Sequence, residues 1–406
     1  MTTAAAGSPA FRRINRAMLA GGFSAFALLY TVQPLLPVLS SEFALTPAQS
    51  SWSLSISTLA MACSLIVSGA LSDRIGRKKL MVWALAGAAV FTLLSALSRS
   101  FSELLVLRAL LGAALGGMPA VAMAYLKEEV EPRSLGLVMG MYIGGTALGG
   151  MAGRVLASSG AEHFSWRVAM ALIGAAGLVA AWEFWRCLPQ SRHFTPGNAG
   201  WLALVRGARA HLIDDGLPWL FALGFLVMGV FVSLYNYIGY RLMDAPFGLG
   251  QSAIGAVSVL YLVGMFSAVW AGRLADRLGR RRVLWMVMAL MLAGLLLTLS
   301  NALVLIVAGM TLFTFGFFAT HSVASSWVGM RARAPQALAS ALYLFFYYMG
   351  SSVIGSLCGL AWSAAGWPAV VALLAAALGA AILITLRLRR LAPLTAPPPS
   401  LPARYI

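Results

Sequence analysis

One arginine, Arg108, interrupts the apolar run 101–125, and a charge within such a run is the strongest indication of side-chain chemistry in this sequence. A charge at the centre of a bilayer costs at least about 2.5 kcal/mol unless it is paired or hydrated. Gly112 and Gly116 follow at four-residue spacing, which lets a second helix approach closely. We predict that Arg108 takes part in ion coupling or binds an anion. The alternative is a packing arginine satisfied by backbone carbonyls.

A second group of polar residues in apolar runs supplies candidate contacts for a solute or a proton: Tyr30, Gln33, Tyr235, Asn236 and His321. The first two precede a pair of prolines at positions 34 and 37, which disrupt helical hydrogen bonding and bend a helix around a cavity. The imidazole of His321 titrates in the physiological range, although a lone helical histidine is more often a packing residue. Tyrosines near the end of a span are also often interfacial anchors.

Other kinds of reactive grouping do not occur in the sequence. It contains no Walker phosphate-binding loop, no metal-ligand spacing and no nucleophile elbow. We therefore predict neither an enzyme nor a bound cofactor. Glu183 lies three residues before Arg186, which indicates a local ion pair rather than a proton carrier.

A ten-residue pattern occurs twice, 203 residues apart. Both copies fit G-x-x-x-D-R-x-G-R-[KR], with Gly69, Asp73, Arg74, Gly76 and Arg77 in the first and Gly272, Asp276, Arg277, Gly279 and Arg280 in the second. The last glycine of each copy permits a tight turn between helices, and each aspartate lies where a nearby cation can hold it. Glu128 and Glu129 could join the first copy by ion pairing, or belong to a solvated loop. Self-similarity over half the chain indicates a duplicated unit.

Membrane helices must position these residues, because the composition is not that of a soluble domain. The 406 residues are 60% hydrophobic and 10% charged, against about 25% charged residues in soluble domains. Helices of about 20 apolar residues cross the hydrocarbon core. We predict an all-α integral membrane protein with twelve transmembrane helices in two pseudo-symmetric six-helix bundles. The predicted spans 1 to 12 are 18–39, 49–71, 80–97, 101–125, 135–157, 166–188, 218–240, 251–271, 283–299, 302–328, 337–360 and 366–386.

Basic residues are distributed unevenly, with 24 of the 29 Lys and Arg in the two tails or the even-numbered connections. The positive-inside rule therefore predicts that both termini are cytoplasmic. The same asymmetry accounts for the net charge of +17 without a nucleic-acid partner. Arg154 is one of the exceptions, and we expect it near the outer end of span 5, with its side chain reaching toward the membrane surface.

The chain divides into five predicted segments. An N-terminal tail, 1–17, precedes the first bundle, 18–188; a linker, 189–217, precedes the second bundle, 218–386; and a Pro-rich tail, 387–406, follows. Within the linker, residues 201–212 fit either a helix on the membrane surface or an ordinary polar connection. The Pro-rich tail is predicted to be disordered.

The doubled loops resemble those of the major facilitator superfamily, and the resemblance covers essentially the whole chain. It implies that both loops act as a latch between the halves, and that Arg108 corresponds to a fourth-helix arginine linked to proton transfer. The glycines of span 5 resemble the superfamily's antiporter motif, although Gly150 replaces its proline and Arg154 replaces a glycine; simple helix packing is the alternative. These glycines are Gly136, Gly145, Gly149, Gly150 and Gly153.

The polar residues of spans 1 and 7 resemble the YnfM-like branch of efflux transporters. The resemblance implies a secondary transporter that works by alternating access as a monomer in the cytoplasmic (inner) membrane, with a small solute, protons and lipid as partners. The leading hypothesis is proton-coupled export of a small organic compound, although no acid occurs in span 1, where many drug antiporters carry one. The alternatives are import of a small anionic nutrient bound by Arg108, and a sensor or scaffold without transport.

Overall fold

The computed structural model describes residues 4–5, 7–191, 201–332 and 336–390. Nearly all of these residues are helical, and the one β contact among them is an isolated bridge between Ala4 and Val130. Most of the Pro-rich tail and the middle of the linker, residues 192–200, lie outside the described residues, so the prediction of a disordered tail stays a prediction.

The first half contains six helical spans, two of which are broken. Span 1 is made of Pro9–Tyr30, a 3₁₀ turn Gln33–Leu35 and Leu36–Glu42, and span 4 is made of Phe101–Leu115 and Pro119–Glu129. Pro34 lies in the first break and Pro119 begins the helix after the second, and a proline removes a backbone donor and prevents regular continuation of the preceding helix. The continuous spans 2, 3, 5 and 6 are Pro47–Ile75, Arg77–Ser95, Pro132–His163 and Trp166–Cys187.

The second half repeats this arrangement after a linker helix, Trp201–Ile213. Spans 7, 9 and 10 are Leu217–Met243, Arg280–Leu297 and Leu303–Arg331, and span 8 is made of Gln251–Ala256, a 3₁₀ turn Val257–Leu260 and Tyr261–Leu278. Spans 11 and 12 form the helix Gln336–Leu388, whose backbone is non-helical at Ala365 and Gly366. The positive φ of Gly366, 62°, favours a glycine at this turn.

Ten helical stretches among the described residues are long and apolar enough to cross a membrane. The turn at Gly366 divides the last of them into two, and span 9, which begins with three arginines, completes the set of twelve. The outer faces carry large exposed apolar side chains, such as Trp83, Leu172 and Val304, as hydrocarbon requires. The predicted all-α, twelve-helix membrane fold is confirmed.

Glycines set the closest helix contacts. A methyl group built on Gly149 would lie 1.9 Å from the carbonyl oxygen of Phe23, and one built on Gly350 would lie 1.9 Å from that of Phe225. Span 5 therefore packs on span 1, and span 11 on span 7, with backbones in direct contact. The matching pairs show the duplication in the packing as well as in the sequence.

Candidate functional site

The two ends of the helix bundle differ in how the halves meet. Because consecutive spans are antiparallel, the loops at Gly76 and Gly279 share one end, here called the motif end, and the opposite end is called the distal end. On the distal side, Ser40 is 2.7 Å from the Tyr240 hydroxyl, and Gln251 donates to the Pro34 carbonyl at 2.6 Å. Hydrogen bonds between the halves therefore close the distal end.

Arg154 lies at the centre of this closure and is only 2% exposed. Its Nε donates to Gln33 Oε1 at 2.6 Å and its Nη1 to the Gly150 carbonyl at 2.6 Å. The guanidinium lies 4.2 Å from the ring centroid of Tyr30 and 4.9 Å from that of Tyr261, within the range of cation–π attraction. The prediction that Arg154 reaches the membrane surface is wrong, because these groups hold the side chain between the halves.

A relay of side-chain amides connects Arg154 to the second half. Gln33 Nε2 donates to Asn236 Oδ1 at 2.6 Å and to the Val232 carbonyl at 3.2 Å. The other amide atom of Asn236, Nδ2, is buried and has no hydrogen-bond partner in the described structure. Tyr235, the neighbour of Asn236, takes no part in the relay, because its hydroxyl pairs with Thr314 at 2.8 Å. The relay therefore leaves the buried amide nitrogen of Asn236 without an acceptor among the described residues.

A small space adjoins that free donor. An added methyl group on Gly355 would lie 3.5 Å from Asn236 Nδ2 and 3.5 Å from Ser55 Oγ, which are ordinary contact distances. The Ser55 hydroxyl is also buried without a partner in the described structure. Buried polar atoms are normally hydrogen-bonded, so a pair of free ones facing one space marks a position where a ligand group would be favourable.

Arg108 is fully buried and its donors go to backbone carbonyls. Nε donates to the Ser53 carbonyl and Nη1 to the Leu28 carbonyl, each at 3.2 Å, and Nη2 donates to the Leu29 carbonyl. Span 1 breaks after Tyr30, and the last carbonyls of a helix lack intrahelical donors. Arg108 therefore caps the broken helix, and its positive charge is stabilised by the negative end of the helix dipole. These contacts are those expected of a packing arginine that is satisfied by backbone carbonyls.

His321 belongs to an aromatic cluster in the second half. Its Nδ1 lies 3.0 Å from the Tyr343 hydroxyl, and its ring stacks on Phe317 and packs against Tyr347. Phe317 stacks in turn on Phe231 with ring centroids 3.6 Å apart. The cluster continues through Tyr261 to the Arg154 guanidinium.

The two loop motifs have different ion pairs at the motif end. In the first copy Arg77 pairs with Asp73 at 2.6 Å and reaches Glu128 of span 4 at 2.9 Å, whereas in the second Arg280 pairs with Asp276 at 3.4 Å. Gly76 and Gly279 have positive φ values of 95° and 85°, as the tight turns require. The remaining motif positions have fewer contacts: Gly69 and Gly272 adjoin open space, and Arg74 and Arg277 are exposed.

The span-5 glycines divide into three groups by their surroundings. A methyl group on Gly145, Gly149 or Gly153 would lie within 2.6 Å of a span-1 carbonyl, so these three permit close helix packing. Gly150 lies beside Arg154, and Gly136 adjoins open space.

Carboxylates lie away from the two most deeply buried arginines, Arg108 and Arg154. All twelve Asp and Glu residues of the chain are described, and each lies in a connection or near a helix end. Arg154 and Arg108 are therefore cations buried without a carboxylate counter-ion among the described residues. Buried charges in proteins are usually paired, so this arrangement is chemically incomplete at Arg154, whose partners are an amide, a carbonyl and two rings.

Comparisons with known proteins agree with this architecture. The chain is 50% identical to the inner membrane transport protein YnfM of Escherichia coli, over 95% of this chain and 92% of that protein. It is 46% identical to the MFS-type transporter YybF of Bacillus subtilis, over 92% and 93% of the two chains. Its structure resembles that of the nucleoside transporter NupG with a TM-score of 0.76, at 14% identity, over 92% and 99% of the chains.

A second structural neighbour is a bacterial homologue of the lysosomal transporter Spinster, with a TM-score of 0.73 at 15% identity, over 94% and 96% of the chains. The sequence profile of the Major Facilitator Superfamily matches residues 18–242 and 238–404, which together cover both bundles. The chain belongs to the Major Facilitator Superfamily and is a multi-pass inner-membrane transporter rather than an enzyme.

Proposed function

We propose that this transporter moves a small organic anion by alternating access, and that Arg154 pairs with the anion. The observation that carries the proposal is a buried guanidinium between the two halves that has no carboxylate partner in the part of the chain that the structure describes. A charge in the membrane interior costs at least about 2.5 kcal/mol unless it is paired. A bound carboxylate would supply the missing charge through the paired hydrogen bonds that a guanidinium favours.

The surroundings of Arg154 support an anion with an aromatic or apolar body. Tyr30 and Tyr261 cover the guanidinium, and Phe231 and Phe317 extend the aromatic wall on the side of the second half. Two more distant relatives have names that bear on this class. One, 26% identical over 70% of this chain, is named for 3-(3-hydroxy-phenyl)propionate, an aromatic anion. The other, 26% identical over 62%, is named for niacin/nicotinamide, of which niacin is an aromatic acid and nicotinamide its neutral amide, so this name fits the class only in part.

We assign the space beside Gly355 to a second polar group of the solute. Asn236 Nδ2 and Ser55 Oγ face this space without partners, and they come from different halves of the protein. A hydroxyl or carbonyl group there would satisfy both atoms and would be released when the halves separate. Specificity would then follow from the distance between the anion and this second group.

The relay suggests how binding would couple to opening of the distal end. Gln33 accepts from Arg154 and donates to Asn236, so it connects the anion site to the other half. An anion on Arg154 would compete with Gln33 for the guanidinium and weaken the relay at its first bond. With the motif end cytoplasmic, as the basic residues predict, the closed distal end faces the periplasm. The ion pairs of Arg77 with Asp73 and Glu128 lie within the first half, so a latch between the halves in the opposite state would need these groups to pair with the second half.

Proton-coupled export is a finer form of the same proposal. Interior carboxylates, which carry protons in many antiporters, do not occur among the described residues, so the candidate proton carrier is His321, whose Nδ1 lies 3.0 Å from the Tyr343 hydroxyl. Arg108 would act as the brace of the broken span 1 and not as a proton carrier, because all its observed hydrogen bonds go to carbonyls.

The test compares a carboxylate with its neutral analogue. Purified protein in proteoliposomes would be assayed for exchange of radiolabelled 3-phenylpropionate and benzoate, and for thermal stabilisation by these acids and by their amides. We expect the acids, and not the amides, to stabilise the wild type. Arg154→Gln should weaken acid binding roughly 10- to 150-fold, the value of a hydrogen bond to a charged group.

Two further variants make the result specific. Arg154→Lys keeps the charge but loses the planar fork, so it should recover only part of the binding. Arg99→Gln, an exposed arginine at the distal end, is the matched control and should behave as wild type. Equal stabilisation by acid and amide, or unchanged acid binding in Arg154→Gln, would exclude the anion assignment. Exchange that a pH gradient drives in wild type but not in His321→Gln would support proton coupling. Exchange that is insensitive to the pH gradient in wild type would exclude proton coupling.

A further inference from the structure

A cleft at the motif end, unrelated to Arg154, is lined mainly by cations. Residues from the start of span 1 and the end of span 6 enclose about 390 Å³, a volume suited to a small polar headgroup. The lining residues are Arg12, Arg13, Arg16, Glu183, Arg186 and Cys187.

The one carboxylate of the cleft is already neutralised. Arg16 donates to Glu183 at 2.6 Å and to the sulfur of Cys187 at 2.6 Å. Arg12, Arg13 and Arg186 remain, and all three are exposed. Lys78 adds a further positive charge close enough to Arg13 to repel it electrostatically. The cleft therefore carries an excess of positive charge that no described carboxylate balances.

The neighbouring sequence supplies no other acid. The first acidic residue of the chain is Glu42, and none occurs between Glu183 and Asp214. The positive potential is therefore a property of the whole segment around the cleft and favours an anionic ligand.

Aromatic side chains place the cleft beside lipid. Trp182 and Trp185, one turn before the end of span 6, are 53% and 54% exposed. The Arg186 guanidinium lies 4.7 Å from the Trp182 ring centroid, so its charge is held next to this aromatic surface. Exposed tryptophans of a membrane helix concentrate at the headgroup level, and basic pockets at that level bind anionic headgroups.

We infer that the cleft between spans 1 and 6 binds the phosphate headgroup of an anionic phospholipid of the surrounding bilayer. The phosphate lies among Arg12, Arg13 and Arg186, and the acyl chains run along the tryptophan face of span 6. The source is a lipid and not free phosphate, because the cation-rich cleft and the exposed indoles lie on the same side of the helix end.

The experiment measures lipid retention by the full-length protein. Protein reconstituted in nanodiscs of phosphatidylcholine with 20 mol% phosphatidylglycerol would be released into mild detergent and examined by native mass spectrometry. Each arginine near an anionic surface contributes about a fivefold preference, so Arg12→Gln/Arg13→Gln/Arg186→Gln should lose about a hundredfold in retained phosphatidylglycerol.

The matched control removes the same charge elsewhere at the motif end. Arg133, Arg282 and Arg390 are exposed and lie outside the cleft, so their triple Gln variant should retain phosphatidylglycerol within about twofold of wild type. Thermal unfolding in neutral detergent would establish that both variants are folded. If the triple variant does not fold, the single variant Arg186→Gln tests the same site, with an expected fivefold loss of retained phosphatidylglycerol.

Three outcomes would overturn the inference. Equal loss in both triple variants would mean that bulk charge, and not the cleft, retains the lipid. Equal retention by wild type and cleft variants would mean that no such site exists. Displacement of phosphatidylglycerol by millimolar inorganic phosphate, with phosphate retained in its place, would assign the cleft to a free anion.

Discussion

The substitution Gly149→Ala tests whether the span-5 glycines serve packing or carry a transport role of their own. A methyl group at this position would lie 1.9 Å from the Phe23 carbonyl oxygen, whereas carbon–oxygen contacts in proteins are rarely below 3.0 Å. Spans 1 and 5 would have to separate by about 1 Å, and a gap of that size forfeits a quarter to a half of the dispersion energy of the contacting atoms. Overpacking of this kind costs about 1–3 kcal/mol.

The same motif contains its own control. Gly136 has nothing within 4 Å of an added methyl group, and alanine is favoured over glycine in a helix by up to about 1 kcal/mol. Gly136→Ala should therefore leave the stability unchanged or raise it slightly. Gly350→Ala, which faces the Phe225 carbonyl at the same 1.9 Å, should match Gly149→Ala.

The assay is thermal unfolding of the purified variants in one detergent, followed by transport at a temperature at which every variant is folded. We expect the midpoints of Gly149→Ala and Gly350→Ala to fall by several degrees together, with Gly136→Ala at or above wild type. A stable Gly149→Ala variant that has lost transport would refute the packing explanation and favour an antiporter role for the motif.

Three other predictions follow from the site and its surroundings. Asp73→Asn should slow transport several-fold and Asp276→Asn much less, because the Asp73 side chain is 23% exposed and that of Asp276 71%; equal effects in the exchange assay would contradict a stronger first latch. Gly355→Ala should preserve stability but weaken binding of solutes with a second polar group, since it fills the space beside Asn236 without a clash. Asp214→Asn should speed tryptic cleavage in the linker helix relative to the exposed control Asp215→Asn, because Arg331 donates to Asp214 at 2.6 Å. Burial opposes ionisation of Asp214, but the hydrogen bonds from Arg331, Leu217 and Gly216 outweigh it and lower the pKa of Asp214. The protection of the linker helix against trypsin should therefore be complete at neutral pH and be lost only as the pH falls through the lowered pKa.

The fold could be predicted from the sequence because its signals are local. Apolar runs of membrane-spanning length and a ten-residue loop repeated at half the chain length need no knowledge of distant contacts. The break in span 1 was likewise signalled by Pro34 and Pro37, which disrupt helical hydrogen bonding wherever they occur. The apolar runs also predicted the boundary between spans 11 and 12 to within a few residues of the observed turn at Gly366.

The central cation could not be predicted in this way. Arg154 is followed by Val155 and Leu156 and then by small and polar residues up to the end of span 5, a sequence also typical of an interfacial arginine. The groups that hold it inside, Gln33 and Tyr261, are more than 100 residues away in the chain. Its departure from the glycine expected in the antiporter motif was the one local signal, because a charge that replaces a glycine in a tightly packed helix needs a space and partners elsewhere.

The duplication explains why the site is asymmetric. Gln33 and Asn236 are separated by the same 203 residues as the two loop motifs, and they meet side chain to side chain where the halves close. The equivalent backbone contacts of Gly149 and Gly350 place Arg154, five residues after the first, in correspondence with Gly355, five residues after the second. One half thus contributes a guanidinium and the other a glycine, and the space beside that glycine is bordered by unpartnered polar atoms of both halves, Ser55 Oγ and Asn236 Nδ2. A symmetric pair of arginines would repel each other and bind two anions, whereas the proposed site would offer a solute a single charged contact and a single neutral one. If the proposed anion site is right, a duplicated scaffold with one cation and one neutral polar position selects a solute that is itself charged at one end only.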